Sequence, residues 1–201
     1  MKLYSVLFSM LFAAGTAQAG VMIEPYIGYE TGTQSAKFKS SYLPSANTDL
    51  GGIVSATALG ARLGYNVLGF WAALDYMATS GTLKYDTSTL KDSDLTRSTL
   101  GVTAGFNFPI LLRAWGGYIW QDDSKFKGTG TETTLSGGGY KLGLGFSGLP
   151  FVSLNLEYIV RNFNSHKGSA QDAGAGYNFD QSYNEYRHNT YLLSVSLPLD
   201  F

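Results

Sequence analysis

The chain has 201 residues, of which 44% are hydrophobic, 14% aromatic and 14% charged, with 25 glycines, no cysteine and a formal net charge of −1. A near-neutral chain without a basic stripe has no electrostatic footprint for nucleic acid. Without cysteine it has no disulfide framework, no thiolate metal site and no cysteine for lipid attachment, so a packed core or a membrane must stabilise the fold.

Met1-Lys2 carries one positive charge, Leu3 to Ala14 is a short apolar run, and Ala17-Gln18-Ala19 is a small-x-small cleavage signature. The pattern predicts a secretory signal over 1–19 and a mature domain over 20–201. The apolar run is shorter than the roughly 20 residues a membrane helix needs. Every later hydrophobic run is interrupted by Gly, Ser, Asn or a charge. Only a closed barrel could span a bilayer.

Period-two alternation recurs in eight segments of roughly ten residues, the length of a tilted transmembrane strand. The first, Val21–Glu30, sets Val21, Ile23, Pro25, Ile27 and Tyr29 against Glu24, Tyr26 and Gly28. The second, Ser55–Tyr65, sets Leu59, Ala61 and Leu63 against Ala58, Gly60 and Arg62, and the third, Phe70–Thr79, sets Phe70, Leu74 and Tyr76 against Asp75 and Met77. Thr96–Phe108 places Leu100, Val102 and Phe106 opposite Arg97 and Thr103, while Leu111–Gln121 places Leu112, Tyr118 and Trp120 opposite Arg113, Trp115 and Gln121. Gly139–Ser147 and Phe151–Arg161 continue the pattern, and Thr190–Phe201 closes it. Pro25 cannot donate to a ladder and marks a weak point of pairing in the first strand. The fold class expected is all-β, an eight-stranded antiparallel up-and-down transmembrane β-barrel.

Connections alternate in length: Glu30–Ser55, Thr79–Thr96, Gln121–Gly139 and Arg161–Thr190 read as long loops, whereas 66–69, 109–110 and 148–150 read as tight turns. An even strand count places both termini on the short-turn side, expected to be periplasmic. The charges within the strands, Glu24, Arg62, Asp75, Arg97, Arg113, Lys141, Glu157 and Arg161, all share the face opposite the apolar one. An outward Arg or Lys at mid-bilayer costs roughly 2–4 kcal/mol, while inward charges can pair across a narrow lumen. A water-soluble barrel would show the reverse phase. Aromatics lie near strand ends, as interfacial girdles require.

The run Gly60-Ala61-Arg62-Leu63-Gly64-Tyr65, followed by a tight turn and Trp71-Ala72-Ala73-Leu74-Asp75-Tyr76, resembles the OmpA-like family of small outer-membrane barrels, including the OmpX and Ail type. The resemblance implies a monomer in the outer membrane of a Gram-negative envelope, in contact with lipid and lipopolysaccharide. It further implies a terminal-strand assembly signal, Tyr191, Leu193, Val195, Leu197, Leu199 and Phe201, read by the barrel-insertion machinery.

Eight strands enclose only enough room for side chains. The inward charges are therefore expected to form a paired network that fills the lumen, with a narrow channel for small or hydrophobic solutes as the alternative. Some barrels of this kind modify lipid A. The only histidines, His166 and His188, fall in the last predicted loop, and His166-Lys167-Gly168-Ser169 departs from the His-x-Ser of the deacylases. No enzyme, metal or cofactor is expected. The last loop also interleaves Tyr177, Phe179, Tyr183, Tyr186 and Arg187 with polar residues, a composition suited to an extracellular ligand. Structural support and surface display, with adhesion through the loops, is the expected role.

Overall fold

The computed structural model describes residues 19–38, 49–86, 92–128, 131–168 and 183–201. Apart from Ala19, the predicted signal lies outside them. The described residues form β1 (Gly20–Phe38), β2 (Asp49–Val67), β3 (Phe70–Tyr85), β4 (Ser93–Asn107), β5 (Leu112–Gly128), β6 (Thr131–Phe146), β7 (Ser153–Gly168), β8 (Tyr183–Ser196) and β9 (Leu199–Asp200). All neighbours are antiparallel, and β1 pairs with β2 on one edge and with β8 and β9 on the other, closing an eight-stranded up-and-down barrel. The two-residue β9 continues β8 past Pro198. None of the helices needed for a helical membrane span is present among the described residues.

Closure explains how Pro25 is tolerated. Val21 and Phe201 exchange both backbone hydrogen bonds at 3.0 and 2.9 Å, and Leu197 N donates to Pro25 O at 3.0 Å. Pro25 lacks only the return donor, so the closing seam loses one ladder bond at that pair.

The strands are longer than the alternation predicts. β1 runs past Glu30 to Phe38, β2 begins at Asp49, and β5 continues past Gln121 to Gly128. Much of what reads as long loop is strand. Beyond Tyr29 the outer positions of β1 become Thr31, Thr33, Ser35 and Lys37, while Ala36 is buried inside. The apolar face has moved to the interior, so a search for apolar outward positions stops where the outward apolar belt stops. At ~3.4 Å per residue and a tilt of about 40°, the stretch from Tyr29 to Phe38 carries the barrel roughly 20 Å beyond that belt.

One residue changes face for a local reason. Gln121, read as inward, is exposed. Leu100 pairs with Gln121 and Gly101 with Ile119, so Trp120 is an extra residue in β5, and Trp120 and Gln121 together oppose Gly138 of β6. This β-bulge reverses the phase of β5 and turns Asp122, Ser124 and Phe126 inward.

Candidate functional site

The barrel interior is stacked in alternating apolar and charged layers, and β1 passes through them in sequence: Met22, Glu24, Tyr26, Glu30 and Ala36 all point in. At the short-turn end lie Met22, Trp71, Ala73 and Trp115. Room for the large rings comes from glycine across the ladder, since Trp115 pairs with Gly143 and Tyr26 with Gly60. A Cβ at either glycine would overlap the facing ring.

Above this floor is the first charged layer. Arg62 Nε donates to Asp75 Oδ2 at 3.0 Å and Nη1 to Glu24 Oε1 at 3.3 Å, and Nη2 donates to Glu157. Arg113 grips Glu24 with two parallel bonds, both 2.8 Å, and Lys141 bridges Asp75 and Glu157. Tyr26 donates its hydroxyl to Asp75 Oδ1 at 2.9 Å. The guanidiniums also lie against rings: Arg62 is 4.8 Å from the Tyr26 centroid and 5.0 Å from that of Trp115, and Arg113 is 4.9 Å from Trp71 and 5.0 Å from Trp115. Arg62, Arg113 and Lys141 face Glu24, Asp75 and Glu157, so the layer carries no net charge. Buried charges are tolerable on that condition.

An apolar layer of Tyr26, Ala58, Met77, Ile119, Ile159 and Leu192 separates it from a second charged layer. There Arg161 holds Glu30 bidentately at 2.9 and 3.1 Å, reaches Asp122 Oδ2 at 2.9 Å through Nε, and donates to Thr190 Oγ1 at 2.7 Å. Arg97 Nη1 donates to Glu30 Oε1 at 2.6 Å and Nε to Ser124 Oγ at 2.8 Å. Its Nη2 lies 2.8 Å from His188 Nδ1, and a guanidinium can only donate, so the imidazole accepts there. Asp122 also accepts from Thr99 at 3.0 Å and Ser124 at 2.8 Å. Arg97 and Arg161 balance Glu30 and Asp122.

The long-loop end is closed by a third apolar layer, Ala36, Val54, Leu83, Leu95, Phe126, Leu135, Phe163 and Tyr186. Rings of Phe126, Phe163 and Tyr186 surround His188 at centroid distances of 6.0, 4.9 and 5.7 Å.

All eight charged residues singled out from the alternation are buried in the interior, divided between the two layers. Three ionisable partners, Glu30, Asp122 and His188, are not among those eight. Glu30 stood at the edge of its segment and its inward parity was the available signal. Asp122 and His188 lay in presumed loops, and nothing local announces the bulge that aims Asp122 inward. The proposed recognition loop fares differently. Tyr177 and Phe179 fall outside the described residues, and of Tyr183 only the strand placement is described. Tyr186 is 7% exposed and packs inside the barrel against Phe163 at 5.7 Å, not on the surface, because β8 begins earlier than predicted and Tyr186 shares the inward parity of His188. Arg187 is exposed, with ion-pair contact to Glu185 at 3.0 Å and a hydrogen bond to Asn162 Oδ1 at 3.0 Å. His188 is likewise buried in β8 and is not a surface-loop residue. His166 lies on β7. No cluster of three potential metal ligands occurs among the described residues.

The terminal-strand residues Tyr191, Leu193, Val195, Leu197, Leu199 and Phe201 are exposed on the outer face. No protein-family model matches the chain, and none of the curated proteins matches its sequence. Solved structures do match in shape. Neisserial surface protein A aligns with a TM-score of 0.51 at 14% identity, covering 90% of this chain and 98% of its own. Ail, the attachment invasion locus protein of Yersinia pestis, aligns at 0.52 and 14% identity, covering 90% and 99%, and OprG of Pseudomonas aeruginosa at 0.52 and 14%, covering 92% and 98%. The shared property is the fold. This chain is a small eight-stranded barrel of the same architecture as those proteins.

Proposed function

We propose that the chain is an integral barrel of a Gram-negative outer membrane, with a sealed lumen, serving envelope integrity and the display of its long-loop end at the cell surface. The observation that carries this reading is the pair of phases on one sheet. Ile27 (56% exposed), Leu59 (63%), Leu142 (66%) and Leu193 (63%) lie on an outer belt that water would not tolerate, while every charge at that height is inside and paired. The belt is bounded toward the long-loop end by Tyr29, Tyr76, Tyr118, Trp120, Tyr140, Tyr158 and Tyr191, where membrane interfaces place aromatic rings.

A conducting pore needs a continuous polar path, whereas here apolar layers alternate with neutral charged ones. Planar-bilayer recording of the refolded protein is expected to show no steady openings. Steady single-channel openings lost on changing Arg113 or Glu157 would overturn the sealed lumen. Ail is named for attachment, and in this chain such a role would reside at the long-loop end. A membrane-impermeant maleimide should label Lys127→Cys on intact cells. Labelling of Lys127→Cys only after the outer membrane is breached would reverse the proposed orientation.

A further inference from the structure

The three short turns share an unusual feature at one end of the barrel. Leu68, Leu111 and Phe151 have φ angles of 53, 62 and 64° and are the only non-glycine residues in the left-handed region among those described. For bulky residues this backbone is an outlier, and Gly, Asn or Asp would adopt it at less strain. The side chains gain no compensating burial within the chain: Leu68 is 64% exposed, Leu111 52% and Phe151 86%, with Ile110 beside them at 67% and Leu149 at 41%. The turns are also tied to one another, since Asn107 N donates to Gly69 O and Ser147 N to Leu111 O, both at 2.8 Å. They form a fixed crown. From Val67 to Phe70, Asn107 to Leu112 and Ser147 to Val152 there is no charged residue.

The crown is continuous with the outer apolar belt through Val67, Phe70, Phe108, Leu112 and Phe146, all exposed. That belt is short where the crown is largest. The outer apolar positions of β6 run from Tyr140 to Phe146, roughly 16 Å along the axis, against an apolar band about 25 Å tall in outer-membrane barrels. A belt shorter than the hydrocarbon must be made up by thinning the bilayer or by further apolar surface.

Resting on the membrane reading above, we propose that the short-turn end is a lipid-inserted anchor. Leu68, Ile110, Leu111, Leu149 and Phe151 sit in the acyl–headgroup boundary of the leaflet on that side, with phospholipid as their partner, and the strained turns aim them there.

The absence of native cysteine allows a direct test. Leu68→Cys, Leu111→Cys and Phe151→Cys, each carrying a nitroxide, would be reconstituted in phosphatidylethanolamine–phosphatidylglycerol vesicles and probed by collision with oxygen and with a water-soluble nickel chelate. Leu142→Cys on the belt and Lys127→Cys beyond it set the lipid and water limits. Ile110→Cys samples the same depth without a left-handed backbone if a turn variant fails to fold. The expected result is nickel collision at the crown between the two limits and well below that at Lys127→Cys, with oxygen collision above that at Lys127→Cys. Nickel collision at Phe151→Cys equal to that at Lys127→Cys, with Leu142→Cys still shielded, would overturn the anchor while leaving the membrane barrel intact. Free nickel collision at Leu142→Cys would overturn both.

Discussion

The belt and the section beyond it are built from the same strands with the same alternation, yet their interiors and exteriors are exchanged. Within the belt, Ile27 and Leu59 face out and Glu24 and Arg62 face in; beyond it, Thr33 and Lys37 face out and Leu83 and Leu95 face in. A β-strand has only two faces, so the medium outside decides which is apolar. Hydrocarbon outside selects an apolar exterior and permits a polar, paired interior. Water outside selects the ordinary soluble arrangement, in which apolar burial stabilises the section. The aromatic residues Tyr29, Tyr118 and Tyr191 mark where one regime gives way to the other.

The largest effect should come from the belt interior. Arg62→Met leaves Glu24, Asp75 and Glu157 short of one cation in a buried layer, and removing one partner of such a network costs about 3–5 kcal/mol. Urea unfolding of the vesicle-reconstituted protein should read that loss. A loss under about 1 kcal/mol would mean that water reaches the layer and screens it.

Beyond the belt the interior should behave as a soluble core. Leu83 is fully buried, so Leu83→Ala is expected to lose roughly 2–5 kcal/mol. Leu142→Ala on the belt exterior should lose less, because lipid refills the space. Equal losses at the two positions in the same unfolding measurement would erase the distinction between the sections.

The exterior can be compared along one strand. Ile27→Lys places a charge against hydrocarbon and should destabilise by about 2–4 kcal/mol. Thr33→Lys, further along the same face of β1, should stay within about 0.5 kcal/mol of wild type. If both lysines are tolerated, the belt does not contact lipid.

The smallest effect belongs to the outer ion pairs. Lys37 and Glu185 are 3.5 Å apart and partly exposed. Lys37→Ala should change stability by about 0–1 kcal/mol, and added salt should diminish the difference.

The alternation Val21 to Tyr29 and the common parity of the eight strand charges were enough to specify a barrel and its lumen face, since both follow from a period of two with one apolar and one charged face. Loop-length asymmetry was legible only in part, since the connection read as long over Gln121–Gly139 is almost all strand, with β5 running to Gly128 and β6 starting at Thr131. Tyr186 and His188 were misplaced for one reason. Their segment has polar residues outward and reads as loop when an apolar exterior is the criterion, so that criterion hides the strand.

By itself the sequence determined which side chains share a face and that a closed barrel alone could span a bilayer. Only the tertiary structure decided who meets whom across the lumen. Arg161 reaches Glu30 of β1 and Asp122 of β5. Those contacts depend on strand register, on the extra residue at Trp120 and on the closure of β1 onto β8. Each is a long-range property, and the local period of two leaves it unspecified.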